Sequence, residues 1–140
     1  MIKDIKLIES VQRRFTKRIP GLRSLSYDER LHVLGIPTLE DRRLQHDLVT
    51  FFKILNGTIS TSLKSQIRDA RSQSRGHPLR KMVIGASADM YKHSFIPRSI
   101  PIWNSLRADI VCSATALEFA SRLAQSGVQQ FKRGGNGPSC

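Results

Sequence analysis

The sequence predicts an all-α fold, a small irregular bundle of four or five helices with a flexible basic loop and a disordered C-terminal tail. Two observations carry the helical prediction: apolar residues recur at spacings of three and four, and capping and stop signals bracket these runs. A third observation limits the core, because only 39% of the 140 residues are hydrophobic and 6% are aromatic. The predicted divisions are a three-helix segment (1–57), a basic linker (58–86), a C-terminal helical segment (87–127) and a tail (128–140).

The first two predicted helices lie at residues 4–18 and just after Ser26. The first ends at Pro20-Gly21, and its apolar face is expected to be buried. That face consists of Ile5, Ile8, Val11, Phe15 and Ile19. The second is short: Ser26 stands three residues before Glu29, as in a capping box, and Gly35 suits a left-handed stop.

The third predicted helix begins at Pro37-Thr38 and ends at Asn56-Gly57, a strong stop signal. Its expected buried stripe is Leu44, Leu48, Phe51, Phe52 and Leu55. Because periodicity and both end signals agree, these three helices are the best-supported part of the prediction.

Residues 58–86 lose this periodicity and are rich in Ser, Thr, Gln, Gly and Arg. Six basic residues against one acidic residue, Asp69, give the stretch from Lys64 to Lys81 a local surplus of +5. A short helix near 61–70 is one option, and the remainder is predicted to be a mobile basic loop.

The C-terminal segment has two predicted helices. The first follows an extended entry and runs from Pro97 or Ser99 to Leu106, because Pro97 and Pro101 interrupt the helical pattern. The last begins at Ser113 or Thr115 and ends at Gly127. We expect Leu117, Ala120, Leu123 and Ala124 on its inner face, and Tyr91, Phe95 and Trp103 in the core.

Charge is the main functional signal. The chain carries 23 Lys and Arg against 11 Asp and Glu, a net charge of +12, which attracts polyanions. No apolar run has the length of a membrane span and no signal peptide is evident, so nucleic acid is favoured over a membrane. The alternative is a basic surface that serves solubility alone.

The predicted nucleic-acid contacts lie on two helix faces and in the basic loop, where they would bind phosphates without sequence specificity. The alternative for the two helix faces is a charged surface that contacts only solvent, and the alternative for the loop is a plain linker. The candidate residues are Lys6, Arg13, Arg14, Lys17, Arg18, Arg42, Arg43, Lys53, Lys64, Arg68, Arg71, Arg75, Arg80 and Lys81.

Other reactive residue types give weaker signals. The four histidines do not pair with Cys112 or Cys140 at metal-ligand spacings, so no metal site or cofactor is predicted. Cys112 is expected to be an inert buried thiol, and two free thiols suit an intracellular location, nuclear or cytoplasmic. The pairs Asp28-Glu29 and Glu40-Asp41 fall in first helical turns, where carboxylates offset the helix dipole rather than catalyse. Trp103, like Tyr91 and Phe95, is expected to pack in the core rather than stack on bases. Phe15, Phe51 and Phe52 lie on apolar faces and are also expected in the core.

Three stretches carry a family resemblance. They are SVQRRFTKRIPGLRSLSYDERLHVLGIPTLEDRRLQHDLVTFFKILNG (Ser10–Gly57), RGHPLR (Arg75–Arg80) and YKHSFIPRSIPIWNSLRADIVCSATALEFASRL (Tyr91–Leu123). In this order they resemble the segment that follows the polymerase domain in Jockey- and CR1-like LINE-type (non-LTR) retrotransposon reverse transcriptases. The chain departs from the family pattern at Arg107, where a proline is common, and at Ala120, where a lysine is common, and it lacks zinc knuckles.

The resemblance implies an accessory module of an RNA-directed DNA polymerase, whose catalytic Tyr-x-Asp-Asp motif lies upstream of the matching segment. No enzyme activity and no small-molecule substrate are therefore expected. The implied partners are RNA or DNA, together with the catalytic part of the reverse transcriptase. The alternatives are a protein-interaction module that docks on the polymerase thumb and a nonfunctional truncated remnant; an independent enzyme is the least favoured, because no catalytic constellation is present.

Overall fold

A computed structural model describes residues 2–71, 76–85 and 87–127, and confirms the all-α class. Within these ranges there are seven α-helices and one 3₁₀ helix (Ser62–Gln66), and the only β-pairing is an isolated antiparallel bridge between Asp69 and Lys81. The α-helices are α1 (Ile2–Lys17), α2 (Tyr27–Leu34), α3 (Leu39–Leu55), α4 (Asp89–Lys92), α5 (Phe95–Ser105), α6 (Ala108–Val111) and α7 (Ala116–Ser126). The predicted disordered tail, 128–140, lies outside the described residues.

The chain forms two compact units, Met1–Leu44 and Gln45–Cys140. Their boundary falls inside α3, upstream of the predicted division at residue 57. The reason lies in α3 itself, because its C-terminal half supplies Leu48, Phe51, Phe52 and Ile54 to the core of the second unit. In the part of the chain that the structure covers, no helix is both long enough and apolar enough to cross a bilayer.

In the first unit, α1 packs against its surroundings with a polar face. Thr16 is 1% exposed, and its hydroxyl donates to the Gln12 carbonyl at 2.9 Å and accepts from Arg30 Nε at 3.1 Å. Glu9 accepts from the Tyr27 hydroxyl and from the Leu39 backbone N–H. Since buried polar groups are costly unless paired, this network both orients α1 and accounts for the burial of Arg30.

The predicted buried face of α1 is wrong. Ile8, Val11 and Phe15 are 56%, 59% and 68% exposed, and Leu7 beside them is 64% exposed. The periodicity identifies the apolar stripe correctly. The polar face of α1 is nevertheless the covered one, because it forms hydrogen bonds to α2 and the residues beside it. The expectation that Phe15 belongs to the core is therefore wrong as well.

The chemistry at the ends of α2 and α3 confirms the sequence prediction. Ser26 and Glu29 form the complete capping box at the start of α2, and Gly35 closes that helix at φ 63°. At the start of α3, the Thr38 hydroxyl donates to the Asp41 carboxylate at 2.7 Å and accepts from the Asp41 N–H at 3.1 Å. The acidic pairs do lie in first helical turns, as expected.

An aromatic cluster forms the core of the second unit. Phe52 and Phe119 stack with ring centroids 4.6 Å apart, and Trp103 lies 5.3 Å from Phe51 and 5.8 Å from Phe119. All four side chains are at most 4% exposed. The prediction that Phe51, Phe52 and Trp103 pack in the core is confirmed. Tyr91, by contrast, is 42% exposed and does not belong to it.

Helix α5 begins at Phe95, earlier than the predicted Pro97 or Ser99. Pro97 is the third residue of the helix, where a backbone N–H has no partner within the helix, so its ring is tolerated there. Pro101 lies inside the helix and lacks the N–H that would bond to the Pro97 carbonyl. Because both rings can be accommodated, no extended entry at Pro97 is needed.

Helix α7 begins after Thr115, whose side chain accepts from the Glu118 N–H at 3.1 Å. Glu118 in turn accepts from the Ala114 N–H at 2.9 Å, so the reciprocal bond reaches one residue further back than in a standard capping box. The predicted inner face is partly wrong, because Leu117 is 82% exposed, whereas Phe119 and Leu123 are fully buried.

An ion pair joins α3 to α5 inside the second unit. Arg98 Nε donates to Asp47 Oδ2 at 3.0 Å and Arg98 Nη2 donates to Asp47 Oδ1 at 3.1 Å, so both carboxylate oxygens are used. The side chains are 29% and 15% exposed, respectively. Such a planar two-bond contact fixes orientation as well as distance.

Candidate nucleic-acid interface

The C-terminal end of α1 and the turn after it form a basic cavity of about 600 Å³. After α1 the Arg18 N–H bonds to the Phe15 carbonyl at 3.0 Å, and the Leu22 N–H bonds to the Ile19 carbonyl at 3.1 Å. Gly21, at φ 82°, then reverses the chain, a conformation that a side chain would disfavour. The cavity, called here the basic pocket, is lined by Arg14, Lys17, Arg18, Ile19, Pro20, Gly21 and Arg23.

Four cationic side chains, Arg14, Lys17, Arg18 and Arg23, lie around the basic pocket, and no acidic residue lines it. All four are exposed, and none forms an ion pair within the described part of the chain. Cations suit the negative end of a helix dipole, which offsets part of their mutual repulsion. A bound anion with several oxygens would offset the rest, because guanidinium groups pair with phosphate through two parallel bonds.

Of the predicted site residues, the pocket brings together Arg14, Lys17 and Arg18. Arg23 was not predicted at all. The sequence feature that could have located Arg23 is the Pro20-Gly21 turn. This turn ends the helix, and it also brings the residues that follow it back to the helix end.

Two further predicted residues on α1 have different surroundings. Lys6 is exposed and lies outside the basic pocket. The Arg13 guanidinium lies over the Tyr27 ring, 4.4 Å from its centroid, in a cation–π contact. Burial and the hydrogen bond to Glu9 raise the pKa of Tyr27 to about 12, so its ring carries a neutral hydroxyl beneath Arg13 at physiological pH.

The predicted residues on α3 are divided between the units. Arg42 and Arg43 are exposed in the first unit, while Lys53 is half-buried in the second. None of the three lines the basic pocket.

The basic segment at 58–86 is more ordered than predicted wherever it is described. The side chain of Asn104 on α5 accepts from the Lys81 N–H and donates to the Lys81 carbonyl, each at 2.7 Å. Trp103 Nε1 donates to the Leu79 carbonyl at 2.9 Å. His77 is 2% exposed, and its Nε2–H donates to the Trp103 carbonyl at 2.8 Å.

These contacts change which of its cations are available. Lys81 pairs with Asp69 at 2.5 Å and Arg80 is half-buried, so neither side chain is freely exposed. Lys64, Arg68 and Arg71 are exposed in the second unit. Predicted Arg75 lies outside the described residues.

Metal-binding and thiol chemistry find little support. In the described ranges, no cluster of three or more His, Cys, Asp or Glu residues is arranged to hold a metal ion. Cys112 is exposed, so the prediction of a buried thiol is wrong. It caps the short helix α6, which leaves its side chain at the surface.

Comparisons with protein-family models, curated proteins and solved structures find no match for this chain. Support for a function therefore comes from the basic pocket, the net charge and the three sequence segments quoted above.

Proposed function

We propose that this chain is a noncatalytic accessory domain of a non-LTR retrotransposon RNA-directed DNA polymerase, and that it contributes sequence-nonspecific binding of RNA or DNA. The observation that carries the binding proposal is the basic pocket, where Arg14, Lys17, Arg18 and Arg23 surround one cavity with no acidic lining. The retrotransposon origin rests on the sequence resemblance alone.

Phosphate binding follows from the physical chemistry of such a site. Each phosphate neutralised by Lys or Arg releases condensed counterions, so affinity falls with salt at a slope of about −0.7 to −0.9 per contact. The pocket has no pattern of hydrogen-bond donors and acceptors that matches base edges. It would therefore bind the phosphate backbone of a nucleic acid without recognising its base sequence. The net charge of +12 adds long-range attraction that speeds encounter.

The test is a salt titration of binding to labelled RNA and DNA, measured by fluorescence anisotropy. The double variant Arg14→Gln/Arg18→Gln should lower the affinity for nucleic acid. It should also make the plot of log affinity against log salt concentration less steep, by the equivalent of about one to two phosphate contacts. Arg42→Gln/Arg43→Gln removes the same charge from exposed positions on α3 and serves as the matched control. Equal losses from both pairs would show that binding follows overall charge and would refute the assignment to the pocket.

A second function has one observation in its favour. The exposed stripe of Leu7, Ile8, Val11 and Phe15 on α1 suits a protein-interaction module that docks on the polymerase thumb. Absence of nucleic-acid binding at about 50 mM salt would refute the first proposal and favour this one. A primer-extension assay separates both from an enzyme, since neither predicts nucleotide incorporation.

A further inference from the structure

The fold leaves the aromatic side chain of Phe15 uncovered. Phe15 is 68% exposed, whereas Phe51, Phe52 and Phe119 are at most 4% exposed. Burying a side chain of this size normally stabilises a fold, so its exposure indicates that folding alone does not explain a phenylalanine here.

The position of Phe15 relates it to the basic pocket. It lies next to Arg14 and one helical turn before Arg18, and both of these arginines line the pocket. The Arg18 N–H bonds to the Phe15 carbonyl at 3.0 Å, so the two residues share the turn that ends the helix. An exposed aromatic ring beside a cluster of cations is the combination that single-stranded nucleic acids require, with bases on the ring and phosphates on the cations.

The other polyanions fit this combination less well. A duplex keeps its base faces stacked inside, where a ring on a rigid helix does not reach them. An anionic bilayer would attract the arginines through its headgroups, but it presents no flat ring on which Phe15 could stack. A second copy of the chain would bring two molecules of net charge +12 together.

We propose that Phe15 is a base-stacking residue and that the site binds single-stranded RNA or DNA in preference to duplex. This rests on the proposed function, because the basic pocket supplies the phosphate contacts that place a base on the ring. Val11, one turn earlier and 59% exposed, extends the apolar surface beneath the neighbouring base.

The test compares Phe15 variants on a labelled oligo(dT) strand, an oligo(U) strand and a duplex of equal length, by fluorescence anisotropy. Stacking one base contributes about 1–3 kcal/mol, so Phe15→Ala should weaken single-strand binding roughly 5- to 140-fold and leave duplex binding unchanged. Phe15→Leu, which keeps an apolar side chain but loses the flat face, should resemble Phe15→Ala, and Phe15→Trp should restore or exceed the original affinity. Leu7→Ala removes a similarly exposed side chain (64%) from the same helix and should have no effect.

If the arginine variants weaken binding but Phe15→Ala does not, or if Phe15→Ala weakens strand and duplex equally, stacking is refuted and the proposed function survives. If the unaltered chain binds no nucleic acid at low salt, both fail. Two further outcomes would also refute stacking, provided that strand binding persists in Phe15→Ala. If Phe15→Ala abolishes co-sedimentation with phosphatidylserine vesicles, the ring contacts lipid. If it abolishes self-association in sedimentation velocity, the ring contacts a second copy of the chain.

Discussion

We expect the ion pair between Arg98 and Asp47 to stabilise the fold by an amount that can be measured separately from its surroundings. Two bonds at 3.0 and 3.1 Å join the side chains, and both are largely shielded from water, at 29% and 15% exposed. Hydrogen bonds to charged groups contribute about 1.5–3 kcal/mol, and residual solvent screening lowers the net value, so we expect a coupling energy of about 1–2 kcal/mol.

A double-mutant cycle isolates this coupling. Arg98→Ala also loses the bond from Arg98 Nη1 to the His93 carbonyl at 3.0 Å, but that loss appears in both arms of the cycle and cancels. Asp47→Ala alone should cost about 2–3 kcal/mol, more than the coupling energy, because it leaves a partly buried guanidinium without its carboxylate. Urea unfolding, with the slope of the transition checked for constancy, gives each free energy.

The matched control is the pair Arg107 and Asp109, joined at 3.1 Å but 69% and 53% exposed. Its cycle should give at most about 0.5 kcal/mol, since exposed pairs are screened and their side chains lose conformational freedom. If the Arg98–Asp47 cycle gives a coupling no larger than this control, the argument from burial and two-bond geometry is refuted.

Three other predictions test local features. Thr115→Ala should lower the free energy of unfolding by about 1 kcal/mol through loss of the N-cap of α7, while Thr115→Ser should retain most of it, as urea denaturation can show. Burial lowers the pKa of His77 below its ordinary value of 6.5, so the unfolded chain takes up a proton on this residue before the folded chain does. The free energy of unfolding should therefore decrease as the pH falls through 6.5. His77→Gln should reduce this decrease, as thermal melts at several pH values can show. Gly35→Ala should cost about 1–2 kcal/mol because Gly35 has φ 63°, whereas Gly85→Ala, at a position with no positive φ, should cost much less.

The parts of the fold that the sequence predicts well are set by local chemistry. The capping box at Ser26 and Glu29 and the left-handed Gly35 depend on residues within a few positions of each other, so their spacing is sufficient evidence. Phe51 and Phe52 follow the same logic, because the periodicity of α3 is long and is interrupted by no proline.

The parts that the sequence misses depend on distant partners. Burial of Thr16 requires Arg30, fourteen residues away, and nothing near Thr16 signals that the polar face of α1 would be the covered one. Phe15 was consequently assigned to the core. In the candidate site, Arg14 and Arg18 were recognisable as cations beside an apolar stripe, but Arg23 joins them only through the turn at Gly21.

The two bonds between Asn104 and Lys81 make a side-chain amide act as a substitute for a neighbouring peptide group. An acceptor and a donor on one rigid plane meet the donor and acceptor of a single backbone residue, so the amide selects one register of the segment. A shift by one position would break both bonds, because the neighbouring Arg80 carbonyl and Met82 N–H bond to Ala70 and Arg68 instead. Aspartate has nearly the same shape but presents oxygen to the Lys81 carbonyl, which turns one attraction into a repulsion. Hydrolysis of this one amide would therefore weaken the attachment of Lys81 to α5, while the bonds that join Arg80 and Met82 to Ala70 and Arg68 would remain.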